Sequence, residues 1–266
     1  MTDQTTAFDP AVMDATAVAS SPPDPREWSL EGATNFRDLG GLVNRHGQAV
    51  RQHRVFRSDA LARLTPADLD RLAGVSIRTL IDLRSPAEIA RTGPSPLADR
   101  GTTVVHAPVT DVDASPEALG DKPLAEMYAA FLMHGERSYR TVFGTLAVAD
   151  DLPAVIHCAA GKDRTGVAVA LLLRLLEVDD ALIVDDYAIT DRNMRRMIAG
   201  WVASNPELVS QAEGLKIPEQ LIRAQAETMR TFLVTLDATY GSAEGYLRAA
   251  GVGRDEIAAI RNGLLD

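Results

Sequence analysis

A short apolar run, Pro153-Ala154-Val155-Ile156-His157, is followed six residues later by a helix-period segment, residues 164–177, that is apolar nearly all round. Neither segment has a polar face to offer to water. A strand without alternation is buried on both sides, and a helix without a polar stripe sits in the middle of a domain. Two such elements in direct succession require a covered sheet with helices packed on it, an α/β architecture.

The rest of the chain fits around that unit. Strand signals fall at residues 35–43, 49–56, 75–83 and 102–107, with turn-like Asp38-Leu39-Gly40-Gly41 inside the first. Leu64-Thr65-Pro66-Ala67-Asp68-Leu69 starts a helix: Thr65 caps, Pro66 suits the first position, Asp68 reaches back, and Leu64 and Leu69 form a staple. Gly74 ends it. Ser85-Pro86-Ala87-Glu88 repeats the capping pattern ahead of a second, short helix. Residues 108–123 read as loop, and 124–148 as helix with a break near Gly135. Helix follows over 179–204 with one or two breaks, over 217–240, and in two short pieces at 243–249 and 254–264. Strands thus crowd the first 157 residues and helices dominate afterwards.

Composition narrows the function classes. Lys+Arg is 27 and Asp+Glu 37, a formal charge of −10, which argues against a general nucleic-acid binder. A single cysteine, Cys158, excludes intrachain disulfides and multi-cysteine metal sites, and no cofactor or metal is expected. Residues 1–27 lack the basic start and unbroken apolar stretch of a secretory signal and end in Ser21-Pro22-Pro23-Asp24-Pro25. They are expected to form a disordered tail or loosely docked arm ahead of one domain, residues 28–266. The longest apolar run, residues 166–173, is far short of the ~20 residues that cross a bilayer. No transmembrane segment is expected. The protein is expected in the cytoplasm, or secreted without a cleaved signal.

The loop between the buried strand and the buried helix reads Cys158-Ala159-Ala160-Gly161-Lys162-Asp163, with Arg164-Thr165-Gly166 opening the helix. Backbone N–H groups of such a loop, together with a helix N-terminus, favour an anion at one point. A cysteine placed there tends toward its thiolate form. Arg164, six positions on, can grip two oxygens of a phosphate with its planar fork. A nucleophile, an amide cradle and an arginine clamp are what phosphoryl transfer to sulfur requires. A nucleotide-binding Walker loop is excluded, because Asp163 stands where Ser or Thr is needed and Ile156 where the first Gly is needed. An inert buried cysteine is the alternative, but it leaves the Gly-Lys-Asp-Arg-Thr sequence of the loop without a reason.

The string His157-Cys158-Ala-Ala-Gly-Lys-Asp163-Arg164-Thr165-Gly resembles the signature loop of the bacterial and fungal cysteine-dependent tyrosine phosphatases, the family that includes mycobacterial tyrosine phosphatase B. Asn35-Phe36-Arg37-Asp38-Leu39-Gly40-Gly41, Phe56-Arg57-Ser58-Asp59, Ile81-Asp82-Leu83-Arg84-Ser85 and the ending Tyr240 to Leu247 agree with it. The likeness covers residues ~30 to 265, one domain of ordinary size. It implies the tyrosine phosphatase fold, a central mostly parallel sheet flanked by helices with a helical C-terminal half.

The resemblance also implies roles. Cys158 becomes the nucleophile that forms a cysteinyl-phosphate. Arg164 binds the phosphate, and the backbone of Ala159, Ala160, Gly161, Lys162, Asp163 and Arg164 cradles it. Thr165 can donate to the sulfur, and His157 organises the loop. No Trp-Pro-Asp loop is present to supply a general acid. The family points instead to Asp163, with Asp82 second and Asp59 third; Asp82 can alternatively do no more than hold an arginine. Lys162, one of three lysines in the chain, resembles the loop lysine with which phosphoinositide phosphatases meet a second phosphate; the alternative is a solvated loop charge. In the family, helices in the region of 191–240 can form a lid, and Asn205-Pro206, Gly214 and Ile217-Pro218 supply hinge-like breaks.

The expected activity is hydrolysis of phosphotyrosine monoesters, extending to phosphoinositides and to phosphoserine and phosphothreonine if Lys162 serves that way. Expected partners are a phosphorylated protein or phosphoinositide, with inorganic phosphate or vanadate in the loop and no nucleic acid. The competing readings are a catalytically silent phospho-ligand binder and a loop-cysteine sulfurtransferase or arsenate reductase. Arsenate reductases of that kind use further cysteines, which this chain lacks.

Overall fold

The computed structural model describes residues 5–7, 24–109, 123–204, 216–218 and 222–266. The strands, in chain order, are β1 (Thr5–Ala7), β2 (Arg37–Asp38), β3 (Val55–Ser58), β4 (Thr79–Asp82), β5 (Thr103–His106), β6 (Ala154–His157) and β7 (Lys216–Pro218). The main sheet runs β2-β3-β6-β4-β5. Its neighbours are parallel except for the antiparallel edge pair β2–β3. Strands β3, β4 and β6 are buried at every residue, as inner strands of a sheet covered on both faces are, whereas the edge strand β5 is partly exposed.

Period-two alternation divides the sheet between two cores. Val55, Ile81, Ala154 and Ile156 face a large cluster with the buried helix, and Phe56, Leu80 and Val155 face a smaller one with Leu72 and Leu97. Each of the Val, Leu, Ile and Phe side chains contributes roughly 1.5–3 kcal/mol by leaving water. The α/β class, the mostly parallel sheet and the helical C-terminal half are as the sequence implied.

The helices are α1 (Pro66–Ala73), α2 (Pro86–Thr92), α3 (Leu124–His134), α4 (Glu136–Leu146), α5 (Asp163–Leu175), α6 (Asp180–Ser204), α7 (Ala226–Tyr240), α8 (Ala243–Ala249) and α9 (Arg254–Leu264). Both expected capping boxes form, Thr65 with Asp68 and Ser85 with Glu88. The expected break at Gly135 separates α3 from α4. A Cβ there would lie 2.4 Å from the Phe131 carbonyl oxygen and 2.8 Å from the Tyr139 ring, so only glycine fits.

Several expectations differ from the structure, among them the strand expected at 49–56, which is Val55–Ser58. The strand expected at 35–43 shrinks to Arg37–Asp38, because Gly41 turns the chain at φ +85°. Residues 41–50 then close a hairpin outside the sheet, with Gly41 N–H bonded to the Val50 carbonyl at 2.8 Å. Helix α6 runs unbroken over 25 residues where breaks were expected. The helix expected from 217 begins at Ala226, and Lys216–Pro218 is instead a strand paired antiparallel with Thr5–Ala7. Most of the tail expected at 1–27 lies outside the described residues; in its described part, Arg26 donates to Asp186 at 3.0 Å.

Of the region compared with a lid, Asn205-Pro206 and Gly214 lie outside the described residues. Helix α7 buries Met229, Phe232, Leu233 and Leu236 against the main core. No helix among the described residues is long and apolar enough to cross a membrane.

Candidate active site

Parallel strands in register bring their C-terminal ends to one edge of the sheet. Ser58, His157 and Asp82 are direct neighbours across β3, β6 and β4. The loops that follow them therefore meet where open α/β sheets form their crevices. Cys158 is the first residue past β6 and is 2% exposed.

The loop after Cys158 is turned so that its carbonyls face away from the crevice. Ala60 N–H donates to the Ala159 carbonyl at 3.0 Å. Asn35 Nδ2 donates to the carbonyls of Ala160 at 3.2 Å and Gly161 at 3.1 Å, and Arg57 Nη2 donates to Gly161 at 2.8 Å. Gly166 N–H takes the Lys162 carbonyl at 2.7 Å to start α5. The N–H groups of Ala159, Ala160, Gly161, Asp163 and Arg164, by contrast, donate to no protein acceptor among the described residues. Carbonyls held outward and amides left over make a concavity for an anion, strengthened by the N-terminus of a 13-residue helix. Gly161 allows this turn. Its φ is +66°, and a Cβ would lie 2.5 Å from the Ser58 oxygen and 2.6 Å from the Asp59 nitrogen.

Arg164, in the first turn of α5, is held by a residue that sequence reasoning had given only a capping role. Glu88 Oε2 and Oε1 accept from Arg164 Nη1 and Nη2, each at 2.7 Å, while Oε2 also accepts the Ser85 N–H at 2.8 Å. Burial opposes the Glu88 carboxylate, but the Arg164 fork and the Ser85 bond outweigh it and bring its pKa down to about 2. The guanidinium thus stands at the crevice in one orientation before any substrate arrives.

The acid candidates separate. Asp163 opens α5, is a quarter exposed on its side chain, and accepts from the Tyr128 hydroxyl at 2.8 Å through Oδ1. Asp82 is clamped by Arg84, with Nη2 to Oδ2 at 2.6 Å and Nε to Oδ1 at 2.9 Å. Burial would raise its pKa, but the Arg84 bonds and the nearby His157 lower it, so it stays ionised. Asp59 accepts the N–H groups of Thr34 and Asn35 at 3.1 Å, and burial pushes its pKa up. It fixes the turn from which Asn35 grips the loop.

His157 is fully buried, 3.4 Å from the Cys158 carbonyl through Nδ1 and 3.8 Å from Asp82 through Nε2. Burial lowers its pKa and favours the neutral ring. Thr165 is a correction: its hydroxyl is buried and makes no hydrogen bond, so the expected bond to the sulfur is not formed. Lys162 corrects the solvated-charge alternative. It is 0% exposed, donates to the Arg223 carbonyl at 3.0 Å and lies 3.4 Å from Asp163 Oδ1.

Beneath the loop lies a buried charge cluster whose centre, Asp186, carried no sequence signal. Arg26, Arg37 and Arg57 converge on it at 3.0, 3.1 and 2.6 Å. Burial alone would neutralise Asp186, but the three guanidinium groups keep its pKa far below the carboxylate range. Arg37 is brought down to about 10 by burial and by Arg57 beside it. Counting Asp24, which pairs with Arg26, three positive charges meet two negative ones, so the cluster is net positive directly under the anion cradle.

A cysteine at the start of an amide cradle, an oriented arginine and a carboxyl one residue before it are an arrangement suited to a phosphate ester. Comparison with known proteins agrees. Residues 28–266 match the tyrosine phosphatase family. The chain is 30% identical to the triple specificity protein phosphatase PtpB of Mycobacterium tuberculosis, over 89% of this chain and 98% of the relative. It is 33% identical to a tyrosine-protein phosphatase of Nostoc commune, over 77% of this chain and 72% of the relative. A family match over residues 28–266, together with a relative 30% identical over most of both chains, makes this protein a member of the tyrosine phosphatase family.

Proposed function

We propose that the protein hydrolyses phosphotyrosine through a cysteinyl-phosphate intermediate. The observation that carries this reading is the outward set of the loop carbonyls, which leaves amides around Cys158 for three phosphate oxygens. In the first step the Cys158 thiolate bonds to phosphorus as the P–O bond breaks. Arg164 and the loop amides stabilise the equatorial oxygens, and Asp163 gives its proton to the leaving phenolic oxygen. In the second step Asp163 takes a proton from water as the water oxygen bonds to phosphorus. The P–S bond breaks, and phosphate and thiolate are released. Asp82 serves by holding Arg84 at the end of β4.

Lys162 supports a wider substrate range. It sits inside the loop, and the mycobacterial relative is named for triple specificity. In the structure its ammonium is bound to the Arg223 carbonyl. Engagement of a second phosphate, as on a phosphoinositide ring, requires that contact to be exchanged.

Purified protein is expected to release phosphate from p-nitrophenyl phosphate with inhibition by vanadate, and Cys158→Ser is expected to abolish turnover. Turnover retained in Cys158→Ser would overturn the covalent mechanism. A wild type that binds phosphate without turnover would favour the silent binder. Asp163→Asn should flatten the pH–rate profile and slow substrates with poor leaving groups most; if only Asp82→Asn does so, the acid is Asp82.

A further inference from the structure

The carboxyl group of Asp163 has two oxygens, and the protein treats them differently. Oδ1 accepts the Tyr128 hydroxyl at 2.8 Å and lies 3.4 Å from Lys162 Nζ. Oδ2 makes no hydrogen bond among the described residues. Tyr128 reaches Oδ1 from α3, and its hydroxyl is 2.7 Å from that of Tyr187 on α6. Both tyrosines are buried, at 0% and 1% exposure. Their rings meet edge to face at 6.3 Å, and Phe131 and Phe232 also pack on Tyr128, at 6.0 and 5.8 Å.

A tyrosine hydroxyl has one proton. Burial, with Asp163 and Tyr187 alongside, pushes the Tyr128 pKa well above that of a free phenol, so it remains a donor. If that proton is given to Asp163, the 2.7 Å contact with Tyr187 must be filled by the Tyr187 proton. The chain of donation then runs Tyr187 to Tyr128 to Asp163 Oδ1. Oδ1 can accept this bond equally as the carbonyl oxygen of a neutral carboxylic acid and as an oxygen of a carboxylate. The contact therefore need not break when the carboxyl gains or loses a proton on its other oxygen.

We propose that Tyr128 and Tyr187 are a positioning pair that reserves Oδ1 of Asp163 for the protein and leaves Oδ2 to exchange the reacting proton with the leaving oxygen and then with water. The proposal rests on Asp163 as the general acid and deepens that reading. Neither tyrosine is singled out in the sequence, and neither is among the residues assigned to the phosphate cradle.

The test is a double-mutant cycle of Tyr128→Phe with Asp163→Asn, followed on an alkyl phosphate such as phosphoserine and on p-nitrophenyl phosphate. General acids contribute ~10²–10⁴-fold, so a misaimed acid should cost about tenfold. Tyr128→Phe is expected to lower kcat on the alkyl phosphate about tenfold, to lower it much less on p-nitrophenyl phosphate, and to leave KM within about twofold. In the Asp163→Asn background it should cost nothing further, because residues acting through one group are not additive. Tyr187→Phe, which keeps the bond to Oδ1 but removes its support, should show the same substrate pattern at smaller size. It also carries the test if Tyr128→Phe does not fold. Losses that multiply in the double variant, or that are equal on both substrates, would overturn the positioning role while leaving the phosphatase reading intact. Absence of vanadate-sensitive turnover in the wild type would overturn both.

Discussion

Replacing Glu88 with glutamine isolates the charge that aims Arg164. The amide keeps the length of the side chain but accepts through one oxygen only, and its NH₂ group faces the Arg164 fork. The Ser85 N–H and the guanidinium must then compete for a single acceptor. The fall of the Glu88 pKa from 4.5 to about 2 corresponds to roughly 3 kcal/mol, at ~1.4 kcal/mol per tenfold. The two side chains are 17% and 21% exposed, so water and salt reduce this to about 2 kcal/mol. For a domain of this size that is a fall in Tm of about 4–8 °C. The sign follows from the lowered pKa. The wild-type advantage is complete above pH 4.5 and disappears as pH falls toward about 2. The stability curves of wild type and Glu88→Gln should therefore converge over that window. Activity should suffer more than stability. An arginine free to leave its pose by about 1 Å loses up to ~10²-fold in rate, so kcat/KM should drop about 10–100-fold at pH 6–7. The assays are thermal unfolding across pH and initial rates on p-nitrophenyl phosphate. A kcat/KM within twofold of wild type would refute the claim that Glu88 pre-sets the clamp. An unchanged Tm at pH 7 would refute the claim that the pair stabilises the fold.

Gly161→Ala should eliminate phosphate and vanadate binding while most of the core still folds. The left-handed conformation costs an alanine about 1–2 kcal/mol, and its Cβ would collide with the backbone of Ser58 and Asp59; vanadate affinity equal to wild type by titration would sink the cradle geometry. Lys162→Ala should reduce turnover of a phosphoinositide more than that of a phosphotyrosine peptide. Equal losses in a rate comparison would mean that the lysine only anchors the Arg223 carbonyl.

The candidate nucleophile and the candidate clamp were legible because they are local. Cys158, Gly161 and Arg164 lie within seven consecutive residues between a buried strand and a buried helix. A strand–loop–helix unit brings loop N–H groups and a helix N-terminus to one point through backbone connectivity. The capping boxes at Thr65 and Ser85 were legible for the same reason, since each partner is three residues away. Glu88 was read only in part: spacing revealed its bond to Ser85 but not the bond to Arg164, 76 positions on. The failure at Thr165 has the opposite cause. Its expected bond to the sulfur came from a family role, and the hydroxyl is buried without that contact.

Apolar period and short-range spacing determined the α/β class and marked the candidate loop from Cys158 to Arg164, because both are written along the chain; the mostly parallel sheet came from the family resemblance. Tertiary structure decided how that loop is held open and how its chemistry is aimed. Asn35 and Arg57 draw its carbonyls outward, Asp186 gathers three arginines beneath it, Glu88 sets Arg164, and Tyr128 meets Asp163 from 35 positions away. These contacts join residues whose separation along the chain carries no period, so only packing of the two cores around the sheet brings them together.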